Sequence, residues 1–360
     1  MSATQPASIC LLRLSALGDV THVVPLVHTL RRRYPAARLS WVIGRLEHRL
    51  VGDLPGVEFL VVDKRRGWAA LGDLARLVKG RRFDVLLHMQ VALRANLLSL
   101  AIPAERRIGY DRARSRDLHG WVIDQRIPPG PGQHVLDAIA SFGAAIGAPR
   151  QGPPVWDLHV AEDDRAFAER VLPGEQPTLL ISPCSSHPQR NWHAEGYARV
   201  ADHAISRGYR VLLCGGPSAL ERQMGDAILA HARGPILDLI AKDTLKQLLA
   251  LLQRANVVLT PDSGPMHMAN AMGTRVIGLH AASNPHRSGP YSDRRFCVDR
   301  YPDAARRYLR REPEEIPWGR KIEYPGVMDL ITVDDVIEAF ERHLATPPGP
   351  APGPQTGPLP

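Results

Sequence analysis

The chain has 360 residues, of which 44% are hydrophobic, 23% charged and 6% aromatic, and it carries a formal net charge of +8. This length and composition suit two ordinary globular domains, and they exclude a small disulfide-stabilised scaffold or a wholly disordered protein. The positive charge indicates an anionic partner without choosing among nucleic acid, a membrane surface and a phosphorylated substrate.

Neither a membrane span nor an extracellular location is indicated. The best apolar stretch, "DVLLHMQVALRANLLSLAI", is interrupted by four polar residues, whereas a span needs roughly 18 uninterrupted apolar residues. The N-terminus lacks the basic residues that open a secretory signal. The cysteines are Cys10, Cys184, Cys214 and Cys297. Because none forms a C-x-x-C pair, they argue against structural zinc and fit a reducing compartment, so we expect a cytoplasmic protein.

Apolar runs alternate with segments of helical periodicity along most of the chain. The predicted strands are 8–14, 38–43, 57–62, 83–89, 177–182, 209–214, 235–239, 256–260 and 275–280. Nearly continuous apolar strands separated by helices predict parallel sheets covered on both faces.

The alternation stops at "GAPRQGPPVWDLHV", residues 147–160, where Gly and Pro cluster. We therefore predict a first domain over 1–150 and a second over 151–345, both doubly wound α/β domains, facing each other across a cleft. A last helix over about 332–345 is a candidate to return and pack on the first domain. The Pro- and Gly-rich residues 346–360 predict a disordered tail.

In such sheets ligands bind in the loops that follow the strands. In the first domain, "LLRLSALGDVTH" ends a strand at Gly18 and Asp19. Gly18 permits a tight turn, so Asp19 can point from the strand end as a general base. The alternative is an N-cap for the helix that starts near Thr21. No Asp-x-Asp or H-E-x-x-H motif occurs, so no metal is indicated.

Two loops of the second domain offer groups for a nucleotide. "CSSHPQRNW" carries the hydroxyls of Ser185 and Ser186 and the cation Arg190, which suit a diphosphate, although an ordinary polar loop is equally consistent. In "CGGPSALER", Gly215 permits close approach of a ligand to the backbone, and Glu221 is within reach of a ribose. The G-x-G-x-x-G fingerprint of dinucleotide enzymes is missing.

A third loop, "DSGPMHMANAMG", predicts an anion site at a helix N-terminus. Pro265 suits the first helical turn, whose free N–H groups would lie beside Ser263 and Gly264. Asp262 would accept hydrogen bonds from sugar hydroxyls, cap the helix, or do both. His267 either donates to a phosphate or packs in the domain.

Two segments together carry a family resemblance. "RLSALGDVTHVVPLVHTLRRRYPAARLSWVI" with "TPDSGPMHMANAMGTRVIGLH" resembles glycosyltransferase family 9, the heptosyltransferases of lipopolysaccharide core assembly. The resemblance implies a GT-B fold of two Rossmann-like domains and an inverting mechanism with neither metal nor other cofactor. The implied donor is ADP-L-glycero-D-manno-heptose, and the implied acceptor is a Kdo- or heptose-bearing lipid A precursor at the cytoplasmic face of the inner membrane.

The resemblance also implies roles for individual residues. Asp19 matches the catalytic base of the family's G-D-V motif. The donor-site matches are Ser185, Ser186 and Arg190 for the phosphates and Asp262, Ser263, Gly264 and His267 for the sugar and diphosphate. The acceptor candidates are Arg65, Arg66, Gln90, Arg94 and Arg116. Val91 departs from the glycine that many relatives have there, and the segment 286–326 matches no pattern that we assign.

Three alternatives stay open from the sequence. A family member that transfers another nucleotide-activated sugar would carry the same motifs. A nucleotide-dependent oxidoreductase on a Rossmann scaffold is disfavoured by the missing glycine fingerprint. A nucleic-acid-binding protein is disfavoured because the basic runs lack interleaved aromatic residues. We expect weak peripheral attachment to an anionic membrane through the basic first third of the chain.

Overall fold

The computed structural model describes residues 5–347, so the tail predicted over 346–360 lies outside the described residues except for its first two. The chain divides into a first unit, Met1–His159, and a second unit, Val160–Pro360. The division falls nine residues after the boundary expected at 150.

The first unit is built on a six-stranded parallel sheet in the order β3-β2-β1-β4-β5-β6. Its strands are β1 Ser8–Leu12, β2 Arg38–Gly44, β3 Val57–Val62, β4 Phe83–His88, β5 Ala104–Gly109 and β6 Gln125–Arg126. In register, Ser8 pairs with Arg38 and Ile9 pairs with Val85. The central strand β1 is buried throughout, as expected for a strand with neighbours on both sides and helices on both faces.

The helices of this unit are α1 Leu17–Arg33, α2 Arg45–Val51, α3 Ala69–Leu77, α4 Leu93–Ser99 and α5 Val135–Ala144. Cys10 and Leu12 of β1 pack with Leu74 of α3 and Leu98 of α4 in one apolar cluster. On α1, ten of seventeen residues are buried, and this helix packs against α5. The strand ends are thereby fixed on a rigid base from which the loops project.

The second unit repeats the design with a six-stranded sheet in the order β12-β11-β10-β7-β8-β9. Its strands are β7 Thr178–Ile181, β8 Arg210–Leu213, β9 Ile236–Asp238, β10 Val257–Pro261, β11 Arg275–His280 and β12 Val298–Asp299. Its helices are α6 Glu162–Val171, α7 Ala194–Ser206, α8 Ala219–His231, α9 Leu245–Arg254, α10 Gly264–Ala271, α11 Pro285–Ser288, α12 Tyr301–Ala304 and α13 Val333–Ala345. All the strand pairs are parallel.

The last helix, predicted over about 332–345, is present as α13. It is closed at its N-terminus by a capping box between Thr332 and Asp335, and it packs against α7 of its own unit. Arg300 holds the start of this helix through Asp335, with Nη2 to Oδ1 at 2.5 Å. The indole N–H of Trp192 donates to the carbonyl of Ile331 at 2.9 Å.

Three strands were missed in the sequence. β5 reads "AERRIG", in which three charged residues hide the apolar pattern, and β6 and β12 have two residues each. Short or charged strands towards the edge of a sheet lack the continuous apolar signature of central strands. Among the described residues, no helix is both long enough and apolar enough to cross a bilayer.

Candidate active site

Asp19 lies where β1 gives way to α1. The helix begins at Leu17, so Asp19 is its third residue and not the N-cap that the sequence offered as an alternative. Its Oδ2 accepts a hydrogen bond from the backbone N–H of Ala16 at 3.0 Å. The side chain is nevertheless 33% exposed. One carboxylate therefore stabilises the helix start and stays accessible to a substrate.

Arg13 holds this carboxylate, and the sequence analysis missed it. Its Nη2 lies 2.5 Å from Oδ2 of Asp19, and its Nε donates to the carbonyl of Ser15 at 2.8 Å. Burial alone would lower the pKa of Arg13, but the neighbouring Asp19 and Tyr110 raise it above its ordinary value. A charged residue inside the apolar run "LLRLS" was the available signal, because a buried arginine requires a partner.

Two further side chains brace the turn that precedes Asp19. Gln90, expected at the acceptor, accepts from the backbone N–H of Leu14 at 2.8 Å and donates to Oγ of Ser15 at 3.3 Å. Nζ of Lys64 donates to the carbonyl of Leu14 at 3.4 Å and lies 2.7 Å from the buried carboxylate of Glu47. These contacts come from the loops after β4, β3 and β2, so the turn is fixed by its neighbours as well as by its own sequence.

The arginines expected to contact the acceptor all follow strand ends of the first sheet. Arg65 and Arg66 come after β3, where Arg65 pairs with Asp63 at 3.3 Å. Arg94 follows β4, and Arg116 follows β5 and is exposed. Because parallel strands end at one edge, these cations lie on the same edge of the first sheet as Asp19.

Asp262 follows β10 in the second unit and is the most enclosed carboxylate of the predicted donor site, with 9% of its side chain exposed. Its Oδ2 accepts from Oγ of Ser288 at 3.2 Å and lies 3.3 Å from Nζ of Lys321. Burial alone would raise the pKa of Asp262, but a hydrogen bond from His267 and the charge of Lys321 hold it well below its ordinary value. Burial lowers the pKa of His280, beneath the site, to about 4. Asp262 is thus a carboxylate that stays ionised and is held by hydrogen-bond donors of the protein.

The N-terminus of α10 lies directly after Asp262. Ser263 is the N-cap residue, and its Oγ is 2.9 Å from Oγ1 of Thr260. The backbone N–H groups of the first turn have no partner within the helix, and together with the helix dipole they favour an anion there. Pro265 lies in this first turn, as the sequence predicted.

The loop after β7 is more internally bonded than the sequence suggested. The buried hydroxyl of Ser185 donates to the carbonyl of His187 at 3.0 Å, whereas Ser186 is exposed. Nε of Arg190 lies 2.8 Å from Oε1 of Glu323. In this loop the hydroxyl of Ser186 is therefore open to a ligand, while Arg190 holds a carboxylate.

The loop after β8 is closed by its own acid. Glu221 accepts from the backbone N–H of Gly216 at 2.7 Å and from the hydroxyl of Ser218 at 2.6 Å. Asp243, which the sequence analysis did not single out, lies near Glu221, and burial raises its pKa to about 7. Its Oδ2 is buried, with no hydrogen-bond partner among the described residues. Two carboxyl groups therefore adjoin the strand ends of β8 and β9.

The segment 286–326, to which no pattern was assigned, supplies three of these groups: Ser288, Lys321 and Glu323. They reach Asp262 and Arg190 across separations of 26 to 133 residues in the chain. No local periodicity could have revealed such contacts. Over residues 5–347, no three His, Cys, Asp or Glu side chains group so as to hold a metal ion.

Two α/β units, each with a parallel six-stranded sheet and polar side chains at the strand ends, are typical of GT-B glycosyltransferases. The chain belongs to glycosyltransferase family 9 (heptosyltransferase), whose model matches residues 71–314. It is 37% identical over 337 residues to the lipopolysaccharide core heptosyltransferase OpsX of Haemophilus influenzae, covering 94% of this chain and 97% of the relative.

Solved structures agree on the fold. The glycosyl transferase family 9 structure from Veillonella parvula has a TM-score of 0.77 at 23% identity, covering 94% of this chain and 97% of that one. E. coli heptosyltransferase WaaC with ADP has a TM-score of 0.69 at 15% identity, with 93% and 99% covered. The protein is thus a glycosyltransferase with two Rossmann-like units.

Proposed function

We propose that the protein transfers heptose from ADP-L-glycero-D-manno-heptose to a Kdo- or heptose-bearing lipid A core acceptor, with inversion and without a metal ion. The observation that carries the chemistry is the pairing of Asp19 with Arg13 at the end of the first unit's central strand. Family membership and the 37% identity to a core heptosyltransferase support the donor and acceptor classes.

In the proposed step an acceptor hydroxyl oxygen attacks the anomeric carbon of the heptose. The bond from that carbon to the diphosphate oxygen breaks on the opposite face, and ADP departs with its electron pair. The hydroxyl proton passes to the carboxylate of Asp19, acting as general base. Arg13 and the N–H of Ala16 both hold Oδ2, so the carboxylate has a fixed orientation before substrate arrives.

The donor is proposed to bind at the strand ends of the second unit. Asp262 would accept hydrogen bonds from sugar hydroxyls, and Glu221 from the ribose. The diphosphate would be met by the N-terminus of α10, by the hydroxyl of Ser186, and by Arg190 once that cation exchanges Glu323 for the ligand. Such fixed donors and cations stabilise the leaving charge without a metal.

The acceptor is proposed to bind at the strand ends of the first unit, where Arg65, Arg66, Arg94 and Arg116 would meet its carboxylates and phosphates. Because a lipid A acceptor is membrane-anchored, we also propose peripheral contact with the cytoplasmic face of the inner membrane. Each well-placed basic residue contributes about 1 kcal/mol to such attachment.

The test is transfer in vitro. Purified protein, ADP-heptose and a Kdo-bearing lipid A are incubated with and without a chelator, the product mass is measured, and the anomeric configuration is read by NMR. We expect a heptose adduct of inverted configuration with equal yield in both conditions. Product with another nucleotide sugar but none with ADP-heptose would favour the sister transferase, and loss of activity with the chelator would contradict the metal-free mechanism.

A further inference from the structure

Large apolar side chains are exposed at one edge of the first unit. Among the described residues of this unit seven such side chains are exposed, and five of them follow the carboxyl end of a strand. These five, which we call the apolar rim, are Leu46, Trp68, Leu93, Leu118 and Trp121. The other two, Leu77 and Leu100, lie at the C-terminal ends of α3 and α4, towards the opposite edge. The distribution is therefore one-sided.

Polar contacts place the segments that carry the apolar rim side by side. They join the loops after β2 and β3, after β3 and β4, and after β4 and β5. The contacts are Arg45 Nη1 to Asp63 Oδ2 at 3.6 Å, Arg94 Nη1 to the Lys64 carbonyl at 3.0 Å, and Asn96 Nδ2 to the Asp117 carbonyl at 2.7 Å. The rim residues accordingly lie in four neighbouring connections after strands, with Leu46 and Leu93 in the first turns of α2 and α4.

Intramolecular packing does not account for the apolar rim. Trp121 is 87% exposed and Trp68 is 77% exposed. The backbone N–H of Trp121 donates to the carbonyl of Leu118, so one turn presents both side chains. Leu118 is 61% exposed and has a left-handed φ of 65°, a conformation that costs a residue with a Cβ roughly 1–2 kcal/mol. Large apolar side chains that are exposed on neighbouring segments at one edge of a domain indicate an interaction site.

Positive charge surrounds the apolar rim. Arg112 and Arg116, in the loop after β5, are exposed and form no ion pair within residues 5–347. Arg65, three residues before Trp68 in the chain, is also exposed, although it pairs with Asp63 at 3.3 Å. Tryptophan prefers the headgroup level of a bilayer, and arginines near it are attracted to anionic lipid. The combination fits an anionic membrane surface.

We propose that the apolar rim inserts into the interfacial layer of an anionic bilayer, with Trp68 and Trp121 as anchors and the surrounding arginines at the headgroups. The inference deepens the proposed function and rests on it in one respect, namely that the acceptor is lipid-anchored. The same edge of the sheet carries Asp19, so insertion would present this edge to a membrane-bound acceptor.

The first test measures binding of the full chain to sedimented vesicles of phosphatidylcholine, alone or mixed with phosphatidylglycerol. The variant W68S/W121S is compared with L77S/L100S, which removes exposed apolar side chains from the other edge. We expect the tryptophan variant to lose about tenfold or more in partitioning to mixed vesicles, and the leucine control to bind like the wild type. Equal partitioning of W68S/W121S and the wild type would overturn the inference.

The second test separates insertion from other uses of the same surface. Turnover is measured with an acceptor stripped of acyl chains and with the lipid acceptor in vesicles. We expect W68S/W121S to match the wild type on the soluble acceptor and to lose activity on vesicles. Equal loss on both would mean that the tryptophans contact the acceptor sugar, and a wild-type dimer dissociated by W68S/W121S in sedimentation velocity would mean a protein interface. Either result overturns insertion.

The vesicle experiment also stands apart from the proposed function. If the wild type binds mixed vesicles through Trp68 and Trp121 but transfers no heptose to either acceptor, the proposed function fails and the rim inference stands. If heptose is transferred to both acceptors but W68S/W121S binds vesicles as well as the wild type does, the rim inference fails and the proposed function stands.

Discussion

Asp19 and Asp262 follow the two different central strands of the same sheet design, β1 in the first unit and β10, the counterpart of β4, in the second, and their surroundings also differ. Each follows a strand in the centre of its parallel sheet and lies beside the N-terminus of a helix. Asp19 is 33% exposed and is held by Arg13, whereas Asp262 is 9% exposed and is enclosed by Ser288, Lys321 and His267. The central strands of a repeated fold thus carry an accessible carboxylate in the first unit and an enclosed carboxylate, held by donors, in the second.

The largest expected effect comes from exchanging each carboxylate for its amide. D19N removes the proton acceptor, so kcat should fall by about 100-fold to 10,000-fold while calorimetric affinity for ADP is unchanged. D262N replaces the charged acceptor proposed for the sugar hydroxyls by a neutral amide, so ADP-heptose should lose about tenfold or more of its affinity while ADP alone binds as well or better. A D262N variant in which only kcat falls, or a fully active D19N variant, would contradict the different roles assigned to the two carboxylates.

The second prediction concerns the arginine that positions the base. R13M keeps much of the side-chain volume but leaves the carboxylate of Asp19 without its cation, so we expect kcat to fall by about 100-fold with little change in KM for the donor. R13K should recover part of the loss because it restores a charge near Asp19 but not the second contact, in which Nε of Arg13 donates to the carbonyl of Ser15. An R13M enzyme with normal kcat would reduce Arg13 to a structural role.

The third prediction uses the raised pKa of Asp243. Because its pKa is about 7 in the folded protein and its ordinary value is 3.8, the folded state binds the proton more tightly than the unfolded state. The free energy of unfolding should therefore decrease as pH rises from about 4 to about 7, by an amount on the order of a few kcal/mol. Urea denaturation should show D243N to be more stable than the wild type above about pH 7 and to have a flatter pH profile. Identical profiles would contradict this.

The smallest expected effect lies at the pairing of Arg190 with Glu323. E323Q removes the carboxylate that a diphosphate would have to displace, so affinity for ADP should rise by a factor of roughly three to ten. Calorimetry with E315Q, a change in the same segment on an exposed helical turn, provides the matched control. Reduced affinity in E323Q would mean that Glu323 orients Arg190 for the ligand.

Prediction from the sequence succeeded where the information is local. Nine of the strands followed from apolar runs, and the position of Asp19 beside a strand end followed from "LGDV". The strand β5 was missed because its charged side chains tolerate a half-exposed place in the sheet. Glu221 was expected at a ribose, which stays a prediction, and the structure shows that this carboxylate closes its own loop.

The sequence by itself determined the two α/β repeats and the loops that carry polar groups. The reason is that a buried parallel strand and the start of a helix each depend on the pattern of residues that are adjacent in the chain. Only the tertiary structure decided which charges meet. Gln90 and Lys64 converge on the turn before Asp19, and Lys321 approaches Asp262, from distant positions in the chain. The carboxyl ends of parallel strands gather such residues at one edge, and sequence separation carries no record of that proximity.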